Sequence, residues 1–283
     1  MVEKIGVVGA GLMGSEIALV FALAGYNVLM HDRDQDTLHK AAQRQRSVLE
    51  KGVDREFYAK EQMDIAIGNI EYTTSLDRFS DRDFITEAVF EDAGVKEGVI
   101  RTLDGVCKPS CYIATNTSTI PISTLAAFVS EERRARFIGT HYFSPVSRMK
   151  LVEVIPAFST AEETTAHTIA LLERIGKAPI RVKDVTGFAV NRMLHMFIIE
   201  AVKLVEEGVA TPEDLDTACR LGLGHPIGPF ALMDAVTSSL CVQAQEIMQE
   251  SYGERFRPPQ LLKQRVRAGY TGGKGKPGWL QRN

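Results

Sequence analysis

The 283-residue chain has little excess charge of either sign: 33 Lys+Arg stand against 36 Asp+Glu, a formal net charge of −3. So weak a field recruits neither nucleic acid nor an anionic membrane surface. Long apolar runs are also missing. The stretch 17–25 falls far short of the roughly 20 residues that span a bilayer. The four cysteines, Cys107, Cys111, Cys219 and Cys241, show no CxxC spacing and are too sparse for a disulfide framework. They suit a cytoplasmic chain with free thiols. Glu3 and Lys4 precede a short apolar strand, unlike a signal peptide. No repeat or low-complexity tract is visible, and no metal site is expected. With 45% hydrophobic and 24% charged residues the composition is that of a soluble globular chain. The length predicts one large domain or two modest ones.

In the first half, short apolar runs alternate with helical patterns. Strands are expected at 5–8, 27–30, 84–89, 111–115, 137–141, 151–155 and 180–182, with helices at 12–24 and 161–175. Nearly continuous apolar strands joined by helices predict a Rossmann-type, doubly wound, mostly parallel sheet covered on both faces. Residues 34–69 break the rhythm and read as an inserted helical hairpin with a turn near Gly52-Val53-Asp54. Its basic residues Lys40, Arg44, Arg46, Lys51 and Arg55 form either a solvated face or a ligand surface. After Gly187 only amphipathic stretches follow, at 188–208, 212–221, 238–251 and 259–268. The expected division is therefore a nucleotide-binding domain over 1–186 and a smaller all-helical domain over 187–283.

Gly9-Ala10-Gly11-Leu12-Met13-Gly14 follows the first strand and opens a helix. In that setting Gly9 permits a tight turn, Gly11 lets backbone approach a pyrophosphate, and Gly14 lets helix and strand pack closely. The helix N-terminus offers unpaired N–H groups to the diphosphate. Asp32, at the end of the second strand, suits the ribose hydroxyls of NAD and repels a 2′-phosphate. Arg33 beside it leaves NADP open.

Oxidising an alcohol toward a nicotinamide needs a base that titrates near neutrality. Of the six histidines, His141 ends a strand, where sheets of this kind place their ligands. Glu153 lies within the apolar run Leu151-Val152-Glu153-Val154-Ile155, and burying a carboxylate there requires a partner. An imidazole would serve. A solvent-facing Glu on an edge strand fits the pattern equally well.

The ordered set Gly9-x-Gly-x-x-Gly14, Asn116-Thr117-Ser118, His141-Tyr-Phe-Ser-Pro, Lys150-Leu-Val-Glu153-Val, Gly187-Phe-Ala-Val-Asn191-Arg192 and Gly228-Pro-Phe resembles the 3-hydroxyacyl-CoA dehydrogenases. It is most similar to the short monofunctional 3-hydroxybutyryl-CoA dehydrogenases, and the likeness spans essentially the whole chain. The resemblance implies an NAD-dependent dehydrogenase of fatty-acid metabolism that acts on acyl-CoA thioesters. It implies His141 as general base, Glu153 as its acid partner, Ser118 on the substrate's 3-oxygen, and Asn191 holding substrate between the domains. Glu91, Lys96, Asn116, Ser118, Ser144 and Lys274 would join the glycine turn in the cofactor site. The hairpin would cover the CoA adenosine. Separately, the apolar faces and small size of the helical domain predict a homodimer through it.

Three departures from the family pattern stand out. Ser144 replaces a usual asparagine, Gly272-Gly273-Lys274-Gly275-Lys276-Pro277-Gly278-Trp279 alters a Gly-Arg-Lys motif, and Thr237-Ser238-Ser239 replaces a more apolar, glycine-containing segment. The first concerns a position beside the nicotinamide in the family and so bears on cofactor geometry, while the other two put the acyl group in question. A dehydrogenase of another 3-hydroxy acid, such as a sugar acid or a carrier-bound acyl group, and a non-catalytic NAD-binding protein remain as alternatives.

Overall fold

The computed structural model describes residues 3–280, which divide into two compact units after Val185. In chain order the first contains β1 (Ile5–Val8), α1 (Leu12–Leu23), β2 (Val28–His31), α2 (Gln35–Asp54), α3 (Lys60–Gly68), β3 (Ile70–Thr73) and β4 (Phe84–Glu87). There follow α4 (Ala93–Val106), β5 (Tyr112–Thr115), α5 (Ile122–Ala126), α6 (Glu131–Arg134), β6 (Phe137–Tyr142), β7 (Leu151–Pro156), α7 (Glu162–Arg174) and β8 (Ala178–Arg181). The eight strands form one sheet in the order β3-β2-β1-β4-β5-β6-β7-β8. Pairings from β3 through β6 are parallel, β6 and β7 are antiparallel, and β7 and β8 are parallel again. Every residue of β1, β2, β4 and β6 is buried, as a sheet covered on both faces requires.

Strand order reverses beside β1, which pairs with both β2 and β4. The crevice beyond the carboxyl ends of strands at such a point is where doubly wound sheets bind ligands. The β1 turn, Glu87, Thr115 and His141 all stand at those ends.

The expected hairpin is present as α2 and α3, but it connects neighbouring parallel strands: the crossover between β2 and β3 is itself lengthened. Its turn also lies later than expected. Helix α2 runs on through Gly52 to Asp54, and since a Cβ on Gly52 would meet the Tyr58 ring at 2.5 Å, glycine makes room for that ring. Strand β3, Ile-Glu-Tyr-Thr, was not expected at all. The strand expected over 84–89 stops at Glu87, and the last strand begins at Ala178, two residues early.

The second unit contains α8 (Val190–Glu206), α9 (Pro212–Gly222), α10 (Pro229–Val236), α11 (Ser238–Tyr252) and α12 (Gln260–Arg267), with no strand among the described residues. Ile198, Val202, Phe230, Met233, Cys241, Leu262 and Trp279 form its core. Two carboxylates organise it. Asp216, on α9, accepts the Phe230 and Ala231 N–H groups at 2.8 and 2.9 Å and so caps α10, which the sequence reading missed. Asp234, on α10, accepts the Trp279 and Leu280 N–H groups at 2.8 and 3.1 Å. Gly228 and Gly278 are needed there, since a Cβ on either would stand 2.1–2.3 Å from one of these carboxyl groups.

Candidate active site

Gly9 adopts φ +101°, and a Cβ there would meet the Ala88 carbonyl oxygen at 2.5 Å. A Cβ on Gly14 would stand 1.8 Å from the Gly9 carbonyl oxygen, so only glycine lets α1 come this close to the turn. Gly11 differs, because a Cβ there meets nothing within 4 Å and its backbone is open to a ligand. Helix α1 starts at Leu12 without a capping side chain, whereas Asp34 caps α2 and Asp92 caps α4. Its first-turn N–H groups are therefore left for an anion. Leu12 is exposed, and Met13 is partly buried against the core.

The Ala10 peptide is held from both sides. Its N–H donates to Asp32 Oδ2 at 2.8 Å and its carbonyl accepts from Arg44 Nη2 at 3.2 Å. Asp32 thus stands at the turn, and Arg44, expected among the hairpin's ligand-facing cations, braces it. An open glycine backbone, an uncapped helix and a carboxylate on the second strand together fit a dinucleotide.

His141 and Glu153 are directly opposed across the antiparallel β6–β7 pair. His141 Nδ1 lies 2.7 Å from Glu153 Oε2, and the two residues are 4% and 0% exposed. The solvent-facing alternative for Glu153 is thereby excluded. On the other side of the ring, Nε2 lies 3.1 Å from Ser118 Oγ. Phe143 flanks the imidazole, with ring centroids 4.6 Å apart. A carboxylate on Nδ1 leaves Nε2 to exchange protons with whatever meets Ser118.

Asn116 and Ser118 belong to the turn after β5. Asn116 Oδ1 accepts the Tyr142 N–H at 3.0 Å, which ties this turn to the end of β6. Glu91 also meets the turn: its Oε1 accepts from Thr117 Oγ1, Ser118 N and Thr119 N at 2.6, 2.8 and 2.8 Å. Burial alone would raise the Glu91 carboxyl. The Lys96 ammonium and the hydrogen bonds from Thr117, Thr119 and Ser118 outweigh it and hold the group below the ordinary value. Lys96 stands beside Glu91. It is fully buried, donating to Glu87 at 2.8 and 3.1 Å and standing 3.6 Å from Glu91 Oε2. Ser144 lies exposed in the loop after β6.

Two buried carboxylates here escaped the sequence reading. Glu87 closes β4, and Glu16, on α1, accepts the Val146 and Ser147 N–H groups of the loop after His141. Both offered the signal that marked Glu153, an acid inside an apolar segment. In the second unit Asn191 lies in the first turn of α8, and Lys274 is exposed in the glycine-rich segment after α12. His195, on α8, is not part of the site, and burial pushes its imidazole down to about 4.

The sequence profile described as 3-hydroxyacyl-CoA dehydrogenase, NAD binding domain, matches residues 4–185, and that of the C-terminal domain matches 187–282. A probable 3-hydroxybutyryl-CoA dehydrogenase of Deinococcus radiodurans is 37% identical over 283 residues, covering 98% of this chain and 99% of that protein. The crystal structure of FadB2 from M. tuberculosis superposes with a TM-score of 0.95 at 36% identity, covering 100% of this chain and 99% of that one. The (S)-3-hydroxybutyryl-CoA dehydrogenase PaaH1 from Ralstonia eutropha gives 0.94 at 36% identity, with 100% of both chains covered. With both of its units matched and the dinucleotide turn intact, the chain belongs to the 3-hydroxyacyl-CoA dehydrogenase family and is an NAD-dependent oxidoreductase.

Proposed function

We propose that the protein interconverts (S)-3-hydroxyacyl-CoA and 3-oxoacyl-CoA thioesters of short acyl chain, with His141 as the base. The observation that carries this reading is the imidazole held between Glu153 at 2.7 Å and Ser118 at 3.1 Å. With Nδ1–H donated to the buried carboxylate, Nε2 takes the proton of the 3-hydroxyl group and Glu153 steadies the imidazolium that results. The oxygen left behind needs donors that do not titrate, and the Ser118 hydroxyl and the Asn191 amide have that chemistry.

NAD, when bound, supplies the hydride acceptor, and in reduced form the donor. Gly9, Gly11, Leu12, Met13 and Gly14 would hold its diphosphate and Asp32 its adenosine ribose, with Asn116, Ser144 and Lys274 as further contacts. Lys40, Arg46, Lys51 and Arg55, all exposed on α2 or just beyond it, are cations suited to the phosphates of CoA. The working form is a homodimer through the second unit, which exposes Met193, Leu221, Leu223 and Leu240. Light scattering should then find particles of twice the 31.2 kDa chain mass.

The test is a panel of 3-oxoacyl-CoA thioesters of increasing length, assayed with NADH and NADPH side by side. Acetoacetyl-CoA with NADH should be the best pair. Turnover only of sugar acids or carrier-bound acyl groups would sink the CoA reading, and no turnover of any 3-oxo compound would sink the enzyme itself.

A further inference from the structure

Two of the four free cysteines stand together, and no part of the reaction proposed above uses them. Cys107 ends α4 as its C-cap, its N–H bonded to the Leu103 carbonyl at 2.9 Å, and Cys111 immediately precedes β5. Between them Lys108-Pro109-Ser110 makes a tight turn, which the Cys111 N–H closes on the Lys108 carbonyl at 3.0 Å. One guanidinium fastens both ends of this segment. Arg133 Nη2 donates to the Cys107 carbonyl at 2.9 Å, and Nη1 to those of Cys111, Lys108 and Pro109 at 2.7, 2.8 and 3.2 Å. Its Nε is paired with Asp104 at 3.1 Å.

Held in this way, the two thiols meet in a hydrogen bond that Cys111 donates and Cys107 accepts. That bond lowers the Cys107 thiol below its ordinary range; burial opposes it, and the Arg133 guanidinium adds to the lowering. The same bond, with burial, pushes Cys111 up. The pair therefore divides into an ionisable sulfur and a proton donor. Cys111 Sγ also lies 3.4 Å from the Tyr112 carbonyl, a second acceptor for its proton. The other two cysteines lie apart, on α9 and α11. Burial and Asp216 raise the Cys219 thiol, and burial takes Cys241 up to about 12. The cover over the pair is thin: Pro109 and Ser110 are exposed, and Cys107 itself keeps 5% of its surface.

We propose that Cys107 and Cys111 are an oxidation site, at which a small hydroperoxide such as hydrogen peroxide converts the dithiol into an intrachain disulfide. The Cys107 thiolate attacks one peroxide oxygen and the O–O bond breaks. The departing hydroxide recovers the proton that the thiol gave up and leaves as water, and Cys107 becomes a sulfenic acid. Cys111 Sγ then attacks Cys107 Sγ. The S–S bond forms as the S–O bond breaks, and the released hydroxide leaves as water with the Cys111 proton. The two thiols have given up two electrons and two protons, and the peroxide has become two waters. Arg133 serves both steps: its charge steadies the thiolate, and its hold on both carbonyls keeps the second sulfur within reach of the first. The site lies at the opposite end of β5 from the turn that carries Ser118, so it does not depend on the proton transfer proposed above.

The experiment treats the folded full chain with hydrogen peroxide, blocks the remaining thiols with N-ethylmaleimide in urea, and maps the unreduced digest by mass spectrometry. The segment containing both cysteines should be lighter by two hydrogen atoms, carry no maleimide and return to two thiols with dithiothreitol. Cys219 and Cys241 should carry the maleimide. Cys107 should oxidise at least about tenfold faster than either of them. In Cys111→Ser the hydroxyl can still donate to Cys107 but cannot form the disulfide, so the sulfenic acid should persist and be captured at Cys107 by dimedone. Four intact thiols after treatment would overturn the proposal. So would oxidation that begins at Cys219 or Cys241, or a dimedone adduct in place of the disulfide in the wild-type chain. If Cys111→Ser does not fold, the wild-type map decides alone.

Discussion

Asp216 and Glu153 are both carboxylates with almost no exposed surface, 5% and 0%, and one lies in each unit. Asp216 is taken up by two backbone N–H groups at the start of α10. Neither donor can titrate or move without unwinding the helix. Glu153 instead faces an imidazole, whose proton count can change while the backbone stays still. The contrast holds more widely. In the second unit Asp234 is likewise committed to amides, whereas in the first Glu87 holds an ammonium and Glu91 a set of hydroxyls and amides around Ser118. A buried acid bonded to backbone secures the fold. One bonded to a side chain whose proton count can change, as Glu153 is to His141, can also serve chemistry.

The sharpest way to break this comparison is to remove one member of each kind. His141→Gln should lower kcat/KM for acetoacetyl-CoA by about 10²–10⁴-fold, since a positioned acid–base group contributes that much. NADH affinity should barely change, because the glycine turn and Asp32 lie elsewhere on the sheet. Turnover within a few-fold of wild type would strike His141 from the mechanism. Asp216→Ala should do the reverse, destabilising the chain by about 3 kcal/mol as two amides at a helix start lose a charged acceptor. Its kcat at low temperature should match wild type. A urea titration alongside the assay reads both quantities, and equal activity losses in the two variants would erase the distinction.

Parts of this arrangement were legible in the sequence and parts were not, for physical reasons. The glycine turn could be read because each glycine answers a local steric demand. His141 and Glu153 could be read because an acid inside an apolar strand has few places to go. Glu87 carried the same signal and was passed over: its partner Lys96 looks, in sequence, like an ordinary helix cation, and nothing local reveals that α4 turns it inward. Strand β3 was unreadable for a different reason. Only four residues long, with Glu71 exposed, it owes its pairing to β2 rather than to any apolar pattern of its own. Helix α10 hides similarly, since the residue that caps it, Asp216, comes from the preceding helix. Short elements stabilised from outside leave little trace in their own residues.

The smallest expected effect concerns the sequence departure at Thr237, where the resemblance points to a glycine-containing segment. Thr237 joins α10 to α11 with φ +87° and ψ 133°, a conformation that a β-branched residue adopts only under strain. The neighbours enforce it. The Thr237 N–H donates to the Met233 carbonyl at 2.8 Å, and the next residue is fixed twice, by Ser238 N on the Thr271 carbonyl at 2.8 Å and by Trp279 Nε1 on Ser238 Oγ at 3.0 Å. Releasing a left-handed non-glycine residue is worth about 1–3 kcal/mol. Against that, glycine gains about 0.4–1 kcal/mol of freedom in the unfolded chain. Thr237→Gly should therefore stabilise the protein by about 1 kcal/mol, raising the urea midpoint without touching kcat. A lowered midpoint would mean that the threonine side chain, packed toward Gly273, contributes more than its backbone strain removes. The second unit would then owe its stability at this joint to side-chain contact rather than to the backbone bonding that Asp216 and Asp234 exemplify.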